Sequence, residues 1–362
     1  MSAAASTDPV IVIGAGPAGL AAAQSLAKRN IEYAVLEQGP SVASALRRVD
    51  PDMRLLSPTP LSLMPDMTVE PSAPQYLPFR DLVRELERYQ SQHGLKVTCN
   101  STVASVRRER AGFSVRYRAG DGKEYEVRGS HVINATGIIS KPRLPDNFKP
   151  ASVTTRWMHS LDTRAEHLAA ARQLLVIGGG ASAAEVLENW LRVRQADARA
   201  WVSLRSRLIA IPHWIFGIDV HYFVWLPEQI PTWLFGRRVG RLTEPMTGRT
   251  VVHAIRDGLI TRMPYVRRYQ NGAVEFGNRQ HLHPDLIVFA TGFSYAAEHL
   301  KGLFDIDRDG RPVVRNCEST RRKGLFLLGF RFGRTFASPY LRGIARDAEY
   351  VAGRIARERR AR

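Results

Sequence analysis

The chain has 362 residues, of which 44% are hydrophobic and 24% are charged; this is ordinary for a globular protein and enough for two domains. It lacks an apolar run of about 18 residues, and its first residues lack the apolar core of a signal peptide, so we expect no membrane-spanning helix and a cytoplasmic location. Two solitary cysteines, Cys99 and Cys317, exclude a CxxC redox pair, an iron–sulfur cluster and a cysteine zinc site, and we expect no metal.

The formal charge of +18 is carried mostly by arginine. A strongly basic chain can bind nucleic acid, an anionic membrane or an acidic protein. The arginines are spread along the whole sequence, which favours a solvated surface, so we expect no nucleic-acid partner.

The first predicted strand runs directly into a glycine loop. VIVI (10–13) is a β-branched run typical of a buried parallel strand, and a GxGxxG pattern follows it before the predicted helix 18–29. The glycines permit a tight turn, a close approach of phosphate to the backbone and close packing of the helix on the strand. The predicted dinucleotide site comprises Gly14, Gly16, Pro17, Ala18 and Gly19.

The second predicted strand, EYAVLE, ends in Glu37, which lies 18 residues after Gly19. An acid at this position is expected to bind ribose hydroxyls, and Gln38 lies beside it. Farther along, LVRELERYQSQHG predicts an amphipathic helix that ends at Gly94, and residues 102–129 alternate around AGDGK as in a β-meander.

The same device occurs again in LLVIGGGASAAEVLENW (174–190), here in the form GxGxxA. The strand after it, ARAWVSLR, ends in Arg205, with Arg207 close behind; arginine suits the 2′-phosphate of NADPH, where an acid would favour NAD. A flavin in one loop and a nicotinamide in the other would make a hydride-transfer enzyme. The second site is predicted to comprise Gly178, Gly180, Ala181, Ser182 and Ala183.

The segment 213–236 holds three tryptophans and four other aromatic residues, interrupted by His, Asp, Glu and Pro. It is too polar to span a bilayer. Three interpretations stay open: an extra pair of core helices, a wall for an apolar substrate, or a membrane-surface contact helped by Arg237 and Arg238. The membrane contact is not favoured. The histidines of the chain other than His159 lack metal-ligand spacing.

Two further segments, HVINATG (131–137) and LIVFATG (286–292), are each a buried strand that ends in Ala-Thr-Gly. With the glycine loops, this order of motifs resembles the flavin-containing monooxygenases, especially the short bacterial and YUCCA-like branch. The resemblance implies an α/β fold with two Rossmann-like domains, for FAD and for NADPH. It implies a discontinuous FAD domain, with a β-meander, at 1–149 and 285–362, and an NADPH domain at 150–284.

The resemblance also implies roles for residues outside the glycine loops. WMHSLD looks like the core of the FxGxxxHSxxY motif, and RLLSP (54–58) lies where such proteins cross beneath the flavin. The closing GLFLLGFRFGRTFASPYLRG resembles their last strand and flavin-facing helix, with Ser338 as the expected helix cap before Pro339. Candidate catalytic residues are therefore His159, Ser160 and Ser57, and His159 would mainly hold the linker and NADPH in register. Further cofactor contacts are expected from Val103, Thr136, Gly137, Thr291, Gly292, Gly329 and Ser338.

The resemblance implies an FAD- and NADPH-dependent monooxygenase that inserts one oxygen atom of O2 into a small, apolar organic substrate through a C4a-(hydro)peroxyflavin. N-oxidation, S-oxidation and Baeyer–Villiger insertion all stay open, as does the oligomeric state. The chain departs from the family pattern: Val153, Thr155 and Thr163 replace the Phe, Gly and Tyr of the HS motif, and GGxW is absent. These departures keep an alternative open, an NADPH-dependent reductase that passes electrons to a ferredoxin-like partner. A dinucleotide-binding sensor without activity is the third possibility.

Overall fold

The structure, a computed structural model, describes residues 8–361 except 65, 71, 140, 149–154, 206–209, 233, 235–245, 248, 271 and 308–310. The strands, in chain order, are β1 (Val10–Ile13), β2 (Tyr33–Leu36), β3 (Val97–Thr98), β4 (Thr102–Glu109), β5 (Gly112–Arg118), β6 (Glu124–Gly129), β7 (His131–Asn134), β8 (Lys141–Pro142), β9 (Arg156–His159), β10 (Gln173–Ile177), β11 (Arg199–Ser203), β12 (Ala210–Ile211), β13 (Trp214–Ile215), β14 (Ile218–Asp219), β15 (Met246–Thr247), β16 (Ile260–Met263), β17 (Val266–Gln270), β18 (Ala273–Phe276), β19 (His281–Leu282), β20 (Leu286–Phe289), β21 (Phe293–Ser294), β22 (Asp305–Ile306), β23 (Pro312–Arg315), β24 (Glu318–Ser319) and β25 (Leu325–Leu327).

The α-helices are α1 (Pro17–Ala27), α2 (Phe79–Gln92), α3 (Ala165–Ala170), α4 (Ala181–Val193), α5 (Val220–Val224), α6 (Thr250–Arg256) and α7 (Leu341–Arg360). Short 3₁₀ turns occupy Leu46–Arg48, Thr59–Leu61, Ser160–Asp162, Pro227–Gln229 and Glu298–Leu300. Within the part of the chain that the structure describes, none of these helices is both long and apolar enough to cross a membrane.

The first sheet has the strand order β22-β23-β24-β25-β7-β1-β2-β3. The strands from β25 to β3 run parallel, and β24, β23 and β22 extend the sheet in antiparallel fashion. Both faces are covered, which explains the uninterrupted apolar run of β1. Val10 and Val12 pack in one cluster with α1 and α7, whereas Ile11 and Ile13 pack in another cluster with the meander β4-β5-β6. The predicted meander is confirmed.

The second sheet has the order β16-β11-β10-β20-β9, and every pair in it is parallel. Its central strand β10 repeats the arrangement of β1. Leu174 and Val176 pack with α4 on one face, and Leu175 and Ile177 pack on the other face with the three-stranded sheet β17-β18-β19. Two doubly covered parallel sheets, each begun by a strand, glycine loop and helix, confirm the predicted fold class.

The chain passes between the sheets by two adjacent segments, at β8 and at β21, which pair with each other. We expected the return to the first sheet to begin at residue 285. Instead β20 (Leu286–Phe289) lies in the second sheet, between β10 and β9, so the return begins after Phe289. The apolar composition of this strand is compatible with either sheet, and only its long-range pairing decides between them.

Candidate functional site

We call the first sheet with the elements packed on it the first unit, and the second sheet with its covering elements the second unit. A cavity of about 1000 Å³ is lined by residues of both units. The first sheet contributes the carboxyl ends of β1, β2 and β7, where open parallel sheets commonly bind ligands. Ala181 and Glu185, from the first turns of α4, line the cavity from the second unit. The first glycine loop and the start of the helix that follows the second glycine loop therefore line the same cavity.

The first glycine loop has the geometry that a dinucleotide pyrophosphate requires. A Cβ on Gly19 would lie 1.8 Å from the carbonyl oxygen of Gly14, so only glycine permits this packing of α1 on β1. Gly16 is the N-cap of α1, and a Cβ added there would meet no atom within 4 Å. The open side of Gly16 lines the cavity at the positive end of the helix, where an anion is stabilised.

Glu37 lies at the end of β2, buried at the cavity wall. Its Oε2 accepts a hydrogen bond of 2.7 Å from the Ala15 amide, and its Oε1 accepts one of 2.8 Å from the Gly39 amide. The carboxylate thus holds the glycine loop in place. A carboxylate can accept about four hydrogen bonds, so both oxygens retain capacity for ribose hydroxyls.

Each glycine loop is closed by one of the two Ala-Thr-Gly segments. A Cβ on Gly14, which has φ of +98°, would lie 2.7 Å from the carbonyl oxygen of Ala135. A Cβ on Gly178, with φ of +136°, would lie 2.1 Å from the carbonyl oxygen of Ala290. The first glycine of each loop is therefore required by the close approach of the corresponding Ala-Thr-Gly backbone, a relation that the sequence does not reveal.

Fewer residues of the second glycine loop than of the first line the cavity. Gly180 is the N-cap of α4, and a Cβ there would meet nothing within 4 Å, as at Gly16. Arg205 lies just beyond the end of β11 and is exposed, so its guanidinium is accessible to the phosphate of a cofactor that binds from solvent. Arg207 lies outside the described residues, so its part in the prediction is untested.

His159 is buried at the end of β9, and both of its ring nitrogens are engaged. Nε2 donates to the carbonyl of Gly292 at 3.0 Å, and Nδ1 accepts from the Leu161 amide at 3.2 Å. Burial lowers the pKa of His159, against the opposing effect of the Gly292 hydrogen bond. Neither His159 nor Ser160 lines the cavity. His159 ties the crossing segment to the second sheet, and its expected role in holding the linker and NADPH in register stays a prediction.

Ser57 does line the cavity, beside an ion pair that was not predicted from the sequence. Arg342 is 7% exposed and donates from Nε and Nη2 to the two oxygens of Glu228, at 2.7 Å each. Its Nη1 lies 3.4 Å from Oγ of Ser57, which lies 2.9 Å from Oγ of Ser62. Arg342 belongs to the first turn of α7, and Glu228 belongs to the segment 213–236, called the aromatic segment below. The ion pair therefore joins these two parts of the chain at the cavity.

Ser338 is not the cap of the last helix. Helix α7 begins at Leu341, and its N-cap is Tyr340, whose side chain makes no capping bond. The hydroxyl of Ser338 instead accepts from the amides of Arg334 and Thr335, at 2.9 and 3.0 Å. Tight turns before the helix shift its start. The N-terminus of α7 still faces the cavity, because Tyr340 and Leu341 line it.

The aromatic segment has two sides where it is described. Its inner side lines the cavity through Val220, His221, Val224, Pro227, Glu228 and Ile230. Its outer side is open to solvent: Phe216 is 98% exposed and Leu226 is 68% exposed. The core-helix interpretation is therefore wrong, because the aromatic residues mostly face outwards. Trp233, Arg237 and Arg238 lie outside the described residues.

Sequence reasoning missed a cluster of polar side chains within this segment. His213, Asp219 and His221 place their ligand-type atoms within 4.8 Å of one another. The signal was present in HWIFGIDVH, where an Asp lies two residues before a His, but the hairpin β13-β14 that brings His213 back was not predicted. Asp219 accepts hydrogen bonds from both imidazoles, so the cluster is held together without an ion.

The predicted site residues divide into two groups. Those that line the cavity are Gly14, Gly16, Pro17, Ala18, Glu37, Gln38, Ser57, Val103, Thr136, Gly137, Ala181 and Gly329. Those that are described but do not line it are Gly19, His159, Ser160, Gly178, Gly180, Ser182, Ala183, Arg205, Thr291, Gly292 and Ser338. All of the first group except Ala181 belong to the first unit, so the cavity fits a dinucleotide held mainly by that unit.

Comparison with known proteins agrees with this geometry. Residues 11–207 match the family model described as pyridine nucleotide-disulphide oxidoreductase. The "uncharacterized oxidoreductase CzcO-like" of Geobacillus kaustophilus is 24% identical, over 96% of this chain and 97% of that protein. The indole-3-pyruvate monooxygenase YUCCA1 of Oryza sativa subsp. japonica is 28% identical, over 88% of this chain and 86% of that protein.

Solved structures share the whole fold. The flavin-containing monooxygenase from Stenotrophomonas maltophilia superposes with a TM-score of 0.76 at 22% identity, over 97% of this chain and 98% of that one. The bacillithiol disulfide reductase Bdr from Bacillus cereus superposes with a TM-score of 0.75 at 20% identity, over 97% of this chain and 99% of that one.

Proposed function

Because this chain belongs to the pyridine nucleotide-disulphide oxidoreductase family, we propose that it is a flavoprotein monooxygenase that uses FAD, NADPH and O2 to oxidise a small, largely apolar organic molecule. The resemblance to flavin monooxygenases agrees with the relatives of that name. The observation that carries the proposal is a cavity lined both by the first glycine loop and by the first turns of α4, the helix that follows the second glycine loop. A shared cavity is what direct hydride transfer between two dinucleotides requires.

Bound FAD would accept hydride and activate dioxygen, and the chain would supply binding, orientation and exclusion of water. Gly16 and the N-terminus of α1 would hold the pyrophosphate, and Glu37 would bind the ribose. In the second unit, the N-terminus of α4 would receive NADPH, with Arg205 at the 2′-phosphate.

The part of the cavity lining that comes from the aromatic segment and the loop before α7 supports an apolar substrate. Val220, Val224 and Ile230 from the aromatic segment line it, together with Phe332 and Phe336 from the loop before α7. Such a wall excludes water and leaves few polar groups to fix the orientation of a substrate. Aromatic or aliphatic molecules with one polar end fit this composition. The indole-3-pyruvate that names the YUCCA relatives has this character and is a reasonable first compound to assay.

The two cysteines give no support to disulphide reduction, despite the family name. Cys99 and Cys317 are both free. Burial raises the pKa of each thiol, and Cys317 is wholly enclosed, so little reactive thiolate forms at neutral pH.

The decisive experiment is anaerobic reduction of the FAD-loaded protein by NADPH, followed by rapid mixing with oxygenated buffer while absorbance is recorded. A monooxygenase should show a transient spectrum that belongs to neither oxidised nor reduced flavin, and its decay should accelerate with substrate. Direct return to oxidised flavin with one equivalent of free peroxide, together with salt-sensitive electron transfer to a ferredoxin, would contradict the proposal and establish the reductase alternative.

A further inference from the structure

Asp219 is the centre of a hydrogen-bond network that reaches the cavity lining through His221. It is 1% exposed. Its Oδ2 accepts from the Tyr76 hydroxyl at 2.5 Å and from His213 Nε2 at 3.0 Å. Its Oδ1 accepts from Nδ1 and from the backbone amide of His221, at 2.7 and 2.8 Å. Burial alone would raise the pKa of Asp219, but the bonds from Tyr76 and His221 hold it below its ordinary value. The carboxylate is therefore ionised and fully used.

This network fixes the orientation of the His221 ring. An ionised carboxylate only accepts hydrogen bonds, so Nδ1 of His221 carries the proton that it donates to Asp219. Burial, aided by the charge of Arg342 and by His213, lowers the pKa of His221 against the opposing effect of Asp219. The imidazole is then neutral at pH 7, and Nε2 is a bare acceptor. No described residue donates to Nε2, although His221 lines the cavity.

The charged groups near His221 in the cavity lining are paired with each other. Arg342 and Glu228 bind each other through two hydrogen bonds, and the remaining arm of Arg342 reaches Ser57. The neighbouring cavity wall is apolar, at Val220 and Val224. Among the described residues at this end of the cavity, Nε2 of His221 is an acceptor that no side chain or amide occupies, and it lies in a surface that is otherwise apolar or formed by the paired Arg342 and Glu228.

We propose that His221, oriented by Asp219, is a catalytic proton acceptor at the substrate end of the cavity, and that the substrate is an apolar molecule with one N–H or O–H group. The inference rests on the proposed function. In the step, the N–H or O–H bond of the substrate breaks, a new N–H bond forms at Nε2, and the substrate heteroatom keeps the electron pair. Asp219 stabilises the resulting imidazolium through Nδ1. The heteroatom becomes more electron-rich, which favours its oxidation, and Nε2 returns the proton to the product.

The test uses FAD-loaded protein with ¹⁵N-labelled histidine and the ligand pairs indole with 1-methylindole and aniline with N,N-dimethylaniline. The His221 signals are assigned by their loss in His221→Phe. At pH 7 we expect Nδ1–H and a bare Nε2, and we expect Nε2 to shift with indole or aniline but not with the methylated partners. Affinity should favour the N–H ligands by about tenfold, the value of one hydrogen bond. His221→Phe should abolish this preference.

His213→Gln is the matched control, because His213 also binds Asp219 but does not line the cavity. It should retain the preference for N–H ligands. Asp219→Asn should keep the ring and move its proton to Nε2. A proton on Nε2 in the wild type, an imidazolium at pH 7, equal responses to both members of each pair, or no response to any N–H ligand would each overturn the proposal. So would tight binding of one zinc ion that removes the His221 Nδ1–H signal.

The reduction of bound flavin by NADPH is measured on the same samples, because this step does not involve His221. If the wild type is not reduced, the proposed function fails while the ligand response can still be read. If reduction is normal and the N–H ligands are not preferred, only the role of His221 fails.

Discussion

The folding stability of the protein should depend on pH through a single side chain of the cavity lining, His299. It lines the cavity, and its Nε2 donates to Oδ1 of Asn134 at 2.8 Å. Burial lowers the pKa of His299 from 6.5 to about 4. Between these values the unfolded chain binds a proton that the folded protein does not, so folding stability falls as the pH falls from 6.5 to 4. The loss from this group is about 3 kcal/mol.

The substitution His299→Gln should remove that pH dependence, because glutamine can still donate to Asn134 but cannot be protonated. Urea unfolding of the FAD-free protein between pH 7 and pH 4 should show a loss of stability smaller by about 3 kcal/mol than in the wild type. His283→Gln, which removes an exposed imidazole, is the control and should follow the wild type. An unchanged pH dependence in His299→Gln would show that protonation of His299 does not cause the loss of folding stability at low pH.

Substitution of a second single residue, Arg205, tests whether the protein prefers NADPH to NADH. Removing a guanidinium that binds the 2′-phosphate should cost about 1.5–3 kcal/mol, a rise in the KM for NADPH of about 10- to 100-fold. Because NADH lacks this phosphate, Arg205→Ala should leave its KM nearly unchanged. Arg199→Ala, exposed at the other end of β11, should affect neither cofactor. Equal effects on both cofactors would remove Arg205 as the phosphate-binding residue.

At the scale of the elements, two substitutions in the first glycine loop should distinguish an effect on folding stability from an effect on FAD binding. Gly19→Ala places a Cβ against the Gly14 carbonyl and should destabilise the protein by about 1–3 kcal/mol, because α1 must move away from β1. Gly16→Ala has room in the FAD-free protein, where φ is −76°, and should unfold like the wild type. It should nevertheless bind FAD weakly, because the methyl group occupies the approach of the phosphate.

Thermal unfolding and FAD titration of the two variants make the comparison. A Gly16→Ala protein that binds FAD as tightly as the wild type would show that the pyrophosphate lies elsewhere.

Local chemistry made some elements predictable from sequence and left others out of reach. The strand, loop, helix and terminal acid from Val10 to Glu37 lie within one short stretch, so their pattern was sufficient. The strand β20 was placed in the wrong sheet, because its composition suits any buried parallel strand. The Asp219 network was missed because the contact from Tyr76 spans 143 residues. Such contacts depend on how the two sheets meet, and periodicity does not encode that arrangement.

In the whole molecule, the crossing segments set the position of one unit against the other. The hydrogen bond from His159 to Gly292 and the pairing of β8 with β21 are contacts of this kind. His159→Ala should loosen this junction, and we expect flavin reduction by NADPH to slow by about tenfold, since small misplacements of reacting groups are costly. The affinities for FAD and NADPH should change little.

Stopped-flow reduction and equilibrium titration separate these effects. His159→Gln keeps a side-chain donor that can reach Gly292 and should recover much of the rate. A loss of FAD affinity equal to the loss of rate would instead indicate damage to the first unit.

The position of β25 in the first sheet has a consequence for synthesis of the chain. β25 and α7 follow the entire second sheet in sequence, yet β25 pairs with β7, and α7 packs with α1 in the first core. As the polypeptide leaves the ribosome, the strands β9 to β20 can complete their sheet while the earlier β7 still has an open edge. The unit that begins first is thus finished last, and flavin capture becomes one of the final steps of biogenesis. Until then β7 would present an unpaired strand edge, the feature of a sheet that favours incorrect strand pairing.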